Sequence, residues 1–130
     1  MDYSKLSDFE INRAVAIAIG FHPDECDIAK RGTPSVGVEW NEDTGYATKT
    51  FDYCNNPADA WPIITENRIA IIPDSAAGEW VAFNEFTLYE GDWMFASDPA
   101  HHSNGKNPLR CAMECFLMMQ DSANVQDNPA

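Results

Sequence analysis

Three groupings of histidine and cysteine have spacings that invite a metal: His22-x3-Cys26, His101-His102 and Cys111-x3-Cys115. Structural zinc is usually held by closely spaced ligands in loops or knuckles. Cys111 and Cys115 instead fall inside an apolar helical pattern, where a free cysteine acts as a small hydrophobe. Cys54 lies near a helix start, a position that can lower a thiol pKa, but the sequence identifies no base for it. Carboxylates neighbour one another at Asp24, Glu25 and Asp27, at Glu42 and Asp43, and at Glu90 and Asp92. In so acidic a chain such pairs arise by chance, and none sits in a hydrolase or metal motif. No Walker loop, dinucleotide glycine turn or nucleophile elbow occurs. The expectation is a protein that is not an enzyme and carries no metal or cofactor.

The aromatic residues offer a different chemistry. Trp40, Tyr53, Trp61, Trp80 and Trp93 are large rings in a short chain. Most such rings serve packing, yet a ring left at a pocket can stack on a nucleobase. Phosphates would then need donors, and helix N-termini supply them through free N–H groups and the helix dipole. Two polar helix starts are available, at Asn55-Asn56 and at Asn107. Asn55, Asn56, Asp59 and Trp61 would read and hold a ligand at the first. Asn107 and Arg110 would do so at the second, with Tyr53 or Trp93 as the stacking ring. Arg110 is a cation in the first turn of a helix, where the dipole disfavours it. It would meet an anionic ligand or pair with Glu114.

These residues are positioned by elements that the pattern makes legible. Ser7-Asp8-Phe9-Glu10 is a capping box, and the helix behind it runs to about Ile19 before Gly20 stops it. Ile11, Ala14, Val15 and Ala18 share its apolar face. Residues 22–34 read as a loop. Val36, Val38 and Trp40 alternate as a strand does, residues 41–45 form a turn, and residues 46–53 return as the second arm of a hairpin. Asn56 suits an N-cap and Pro57 the first helical position, which predicts a short helix over 57–66 that tolerates Pro62. Strands are expected over 69–72 and 79–85, with a further short one within 87–96, and an irregular loop over 98–105. The last helix opens at Asn107 and Pro108. Leu109, Ala112, Met113, Phe116 and Leu117 follow helical spacing, and Arg110 with Glu114 marks its wet stripe. The rest of that helix is apolar nearly all round. A homodimer or higher oligomer would cover it.

With 130 residues, 45% hydrophobic and 12% aromatic, the chain is one domain with enough apolar surface for a core. The domain is expected over 1–120, followed by a flexible polar tail over 121–130. Acidic residues number 21 and basic ones 8, a net charge of −13. That sign repels nucleic acid and anionic membranes, so neither is an expected partner. Residues 69–105 contain no Lys or Arg but hold Asp74, Glu79, Glu85, Glu90, Asp92 and Asp98. This stretch is a solvated acidic face or a surface that imitates nucleic acid and docks on a basic host protein. No apolar run reaches the length of a membrane span. Met1-Asp2-Tyr3 has neither the basic nor the apolar region of a secretion leader, so the cysteines are expected as reduced thiols in a cytoplasm.

Three segments carry a resemblance: residues 3–13 (Tyr3-Ser4-Lys5-Leu6-Ser7-Asp8-Phe9-Glu10-Ile11-Asn12-Arg13), residues 55–64 from Asn55 to Ile64, and residues 107–113 from Asn107 to Met113. Together they resemble the NinX-like proteins of tailed bacteriophages, over nearly the whole chain to about Gln120. The resemblance implies a single-domain α+β fold, an α-β-α sandwich in which an antiparallel sheet packs with about three helices. A helix with an alanine-aspartate-tryptophan core lies between strand pairs, and a final helix closes the sheet. The core should hold Ile11, Val15, Ile19, Trp61, Ile64, Ile71, Leu109, Met113, Phe116 and Leu117. The resemblance also implies an accessory protein of the host bacterial cytoplasm. Small phage accessory proteins often counter host defence, which favours sequestration of a small nucleotide-like signal. The alternative is an acidic inhibitor of a defence or DNA-binding protein, in which Glu85, Glu90 and Asp92 would matter.

Overall fold

The computed structural model describes residues 1–85 and 101–126, with side chains to residue 123. Among these residues, three α-helices and two three-stranded antiparallel sheets make an α+β fold. The antiparallel strands lie in two separate sheets rather than in one layer.

Helix α1 spans Asp8–Ala18. Ser7 Oγ accepts from the Glu10 N–H at 3.1 Å, and Glu10 Oε1 accepts from the Ser7 N–H at 3.0 Å. The capping box therefore forms as its sequence predicts. Gly20 ends the helix at φ 122°, and the Phe21 N–H reaches back to the Ala16 carbonyl. That geometry needs a left-handed residue just past the helix. Ile11, Val15 and Ala16 are buried. Ile19, expected in the core, is 45% exposed because, as the C-cap, it lies beyond the last buried residue of the helix, Ala16.

A short strand β1 (Asp27–Ile28) pairs with β2 (Val36–Trp40), and β2 pairs with β3 (Ala47–Phe51). β1 sits inside the stretch read as a loop, where two residues are too few to show alternation. The β2–β3 hairpin turns at Asn41, whose side chain accepts from the N–H groups of Asp43 and Thr44. Gly37 is required in β2: a Cβ there would stand 2.7 Å from that of Ala47 on β3.

Helix α2 spans Pro57–Glu66, with Asn56 as its N-cap and Pro57 at its first position. Ala60, Ile63 and Ile64 are buried, while Trp61 is 61% exposed. The expectation that Trp61 fills the core is corrected by the helical period. Residues 60, 63 and 64 centre the buried arc, and Trp61 lies about 100° round from Ala60. Strands β4 (Ala70–Asp74), β5 (Glu79–Phe83) and β6 (His102–Gly105) form the second sheet in that order. Among the described residues β4 is an edge, which accommodates Pro73. β6 replaces the irregular loop expected over 98–105. It pairs His102 with Phe83 and buries Ser103, a pairing that its polar sequence does not advertise. The expected strand within 87–96 lies outside the described residues.

Helix α3 spans Pro108–Gln126. It extends into the segment expected as a tail, and Asp121 accepts a hydrogen bond from the Tyr3 hydroxyl. Residues 111–117 are all buried. α1, α2, β5 and β6 pack around them. The apolar helix face on which self-association was expected is thus covered within one chain. Of the expected core, Ile11, Val15, Ile64, Met113, Phe116 and Leu117 are buried, and Ile71 and Leu109 are partly so.

Candidate functional site

The sequence-predicted ligand residues divide into a polar seam and a groove. The seam joins three chain segments far apart in sequence. The Arg110 guanidinium donates to Asp8 Oδ1 at 2.6 Å, to Glu114 Oε2 at 3.2 Å and to the carbonyls of Tyr3 and Leu6. Burial works against its charge, and the carboxylates of Asp8 and Glu114 more than offset this, so its pKa is raised. The arginine that sits unfavourably at a helix start is therefore explained internally. Glu114, expected on a wet stripe, is 5% exposed because it closes this ion pair.

Asn55 donates to Asp8 at 3.2 Å and Asp52 at 3.0 Å, and accepts from Asn107 Nδ2 at 3.0 Å. Asn107 also donates to the Cys54 carbonyl at 2.8 Å. The two helix starts do lie side by side. Their donors, however, are occupied. Pro57 and Pro108 have no N–H. The Asn56 side chain accepts from Ala58, and its carbonyl accepts from Asp59 and Ala60. Asn107 does the same for Leu109, Arg110 and Cys111. The Asp59 carboxylate accepts from the Asp52 N–H at 2.9 Å. Asn12, wholly buried on α1, completes the seam through Pro34, Asp52 and Cys54. No amide in either first turn is left for a phosphate.

Tyr53 is 2% exposed, and its ring stacks on Phe51 at 5.4 Å. Its faces are not open to a base. Its hydroxyl is buried without a hydrogen-bond partner among the described residues, and burial raises its pKa. Burial likewise raises the pKa of the Cys54 thiol, the reverse of what a nucleophile needs. Among the described residues no three His, Cys, Asp or Glu side chains gather as metal ligands. Trp93 lies outside the described residues.

Asn107 and Arg110 line a small groove of about 300 Å³, and Trp61 opens onto a larger one. The larger groove, open and about 790 Å³, is bounded by the end of α2, by β4, by Asn84 and Glu85 after β5, and by Met119 of α3. Arg68 and Asn84 are the functional candidates that sequence reasoning missed. α2 ends with Asn67 as C-cap, and Arg68 follows at φ 54°. Ile69 N–H bonds the Ile64 carbonyl at 3.0 Å, and Arg68 N–H bonds that of Thr65 at 3.4 Å. This helix ending normally takes glycine at the left-handed position. Arg68 occupies it with an exposed side chain that has no ion-pair partner among the described residues. Glu85 has φ 59°, so two of the non-glycine residues with positive φ line this groove. Asn84 is 7% exposed. Its Oδ1 accepts from the His101 N–H at 3.1 Å, which leaves the amide NH₂ as its remaining donor group.

The three segments that the seam binds together are those that carry the family resemblance. Over residues 2–120 the chain matches the family model described as bacteriophage P22, NinX. The chain belongs to the NinX family of phage proteins. No curated protein matches it. Placed on this NinX chain, Tyr3, Asp8, Asn12, Asn55, Asn107 and Arg110 hold the fold together, while Trp61 faces the groove. Among the described residues, no helix of this NinX protein is long and apolar enough to cross a membrane. The one signal for Arg68 in the sequence was the absence of glycine or a second asparagine after Asn67, at a helix end that needs a left-handed residue.

Proposed function

We infer that this phage accessory protein binds a small nucleotide-like molecule in the groove beside Trp61 and holds it without catalysis, in a counter-defence role in the host bacterial cytoplasm. The observation that carries the reading is an exposed indole and a guanidinium without an ion pair among the described residues, both on one groove. A base stacks on the indole, the guanidinium offers a forked pair of donors to phosphate oxygens, and the Asn84 amide donates to a base or phosphoryl oxygen. The described lining contains no His or Cys and a single carboxylate, Glu85, which favours holding over turnover.

The test is to incubate purified protein with extracts of phage-infected, defence-carrying cells, then denature it by heat and identify what is released. An intact nucleotide released by the native protein but not by W61A supports sequestration. A cleaved product would make the protein an enzyme. No released ligand, together with no thermal shift across a nucleotide panel, would reject the reading.

The alternative is an acidic inhibitor of a basic host protein, and one observation favours it. Asp74 and Glu79 face each other across β4 and β5, a like-charged pair that a sheet retains at some cost. Glu90 and Asp92 lie outside the described residues. Capture of a basic partner at low salt, lost at high salt and in D74N/E79Q, would favour this reading.

A further inference from the structure

The Trp61 groove is short of positive charge. Arg68 is the one cation among its described lining residues, and Glu85 balances it. The groove also adjoins the C-terminal end of α2, the negative end of the helix dipole. The whole chain carries −13. Resting on the nucleotide reading above, we propose that the groove selects a nucleotide with a single phosphate charge, such as a cyclic phosphodiester, over nucleoside di- and triphosphates.

One guanidinium satisfies one phosphate, donating to two of its oxygens. The Asn84 amide adds an uncharged donor, which serves a base carbonyl, a ring nitrogen or a phosphoryl oxygen equally well. A second or third phosphate finds no further described cation there. It meets Glu85, the carbonyl end of α2 and the field of an acidic protein, at distances where ordinary salt screens only part of the repulsion. An uncharged nucleoside keeps the stacking on Trp61 but leaves Arg68 unpaired. Affinity therefore peaks at one charge.

The backbone supplies an independent reason to assign Arg68 a ligand. Left-handed geometry is strained for arginine and free for glycine, and strain held at a cavity is a mark of function. Arg68 and Glu85 both hold such geometry on this groove.

Isothermal titration of the full chain in metal-free buffer separates the possibilities. The probes are adenosine, adenosine 3′,5′-cyclic monophosphate, AMP and ATP, with the guanosine series in parallel. The cyclic form should bind more tightly than the nucleoside and at least about tenfold more tightly than the triphosphate. In R68Q, with folding verified by circular dichroism, the cyclic form should fall to the level of the nucleoside. A triphosphate that binds as tightly as the cyclic form overturns the charge selection and leaves the nucleotide reading standing. So does a cyclic form no tighter than the nucleoside. No binding of any probe in either series overturns the nucleotide reading and the charge selection together.

Discussion

Replacing Arg68 with glycine should stabilise the fold while removing ligand binding. The perturbation is local. Arg68 sits one residue beyond the α2 C-cap at φ 54°, its N–H bonded to Thr65 and its side chain exposed without a described ion pair. A left-handed conformation costs a residue with a Cβ about 1–2 kcal/mol, and glycine escapes this. Glycine returns about 0.4–1 kcal/mol of that gain through the greater freedom of its unfolded chain. The net expectation is about 0.5–1 kcal/mol of added stability, with Tm higher by about 2–5 °C for a domain of this size. Urea unfolding checks it: the midpoint should rise with an unchanged m-value, because neither the buried core nor the unfolded surface alters. Titration of the same variant with a singly charged nucleotide should show the lost affinity. A variant less stable than the parent would refute the reasoning, since it would mean that Arg68 earns its place through a contact within the fold.

Two further outcomes follow from the seam and the core. Replacing Arg110 with methionine should cost about 3 kcal/mol in urea unfolding, because the buried Glu114 carboxylate then loses its cation; a loss under about 1 kcal/mol would mean that water can solvate that carboxylate. Burial pushes the Cys111 thiol up to about 11 and Cys115 to about 12 from an ordinary 9.0. The folded state thus keeps protons that the unfolded chain releases. The stability this confers is complete below the unfolded thiol value and is lost as pH rises through 11 to 12, so the urea midpoint should already be falling above about pH 9; a midpoint flat to about pH 11 would contradict it.

Much of the fold could be read from residue order because its signals are local. The Ser7–Glu10 box, Gly20, the Asn56-Pro57 pair and the Asn107-Pro108 pair each fix a helix end through atoms a few residues apart. What escaped depends on distant partners. β6 is a strand because Phe83 and Trp80 lie beside it, not because its own residues alternate. Trp61 is a large ring, but its position on the helical arc, not its size, decides its exposure. The division into two sheets follows from which strands pair, and alternation within each strand is silent on that.

The partners that the candidate ligand residues have inside the fold were hidden for a related reason. Asn55, Asn107 and Arg110 looked like a binding site because polar side chains at helix starts, and a cation in a first turn, call for a partner. They have one. The partner of Arg110 is Asp8, 102 residues away, and that of Asn107 is Asn55, 52 residues away. Here the signature segments coincide with the seam that ties the N-terminus, the start of α2 and the start of α3 into one body. The family match therefore speaks for the fold. The groove takes Trp61 and Ile64 from the second of these segments and Arg68, Asn84 and Glu85 from outside all three, so those three side chains can change without disturbing the seam.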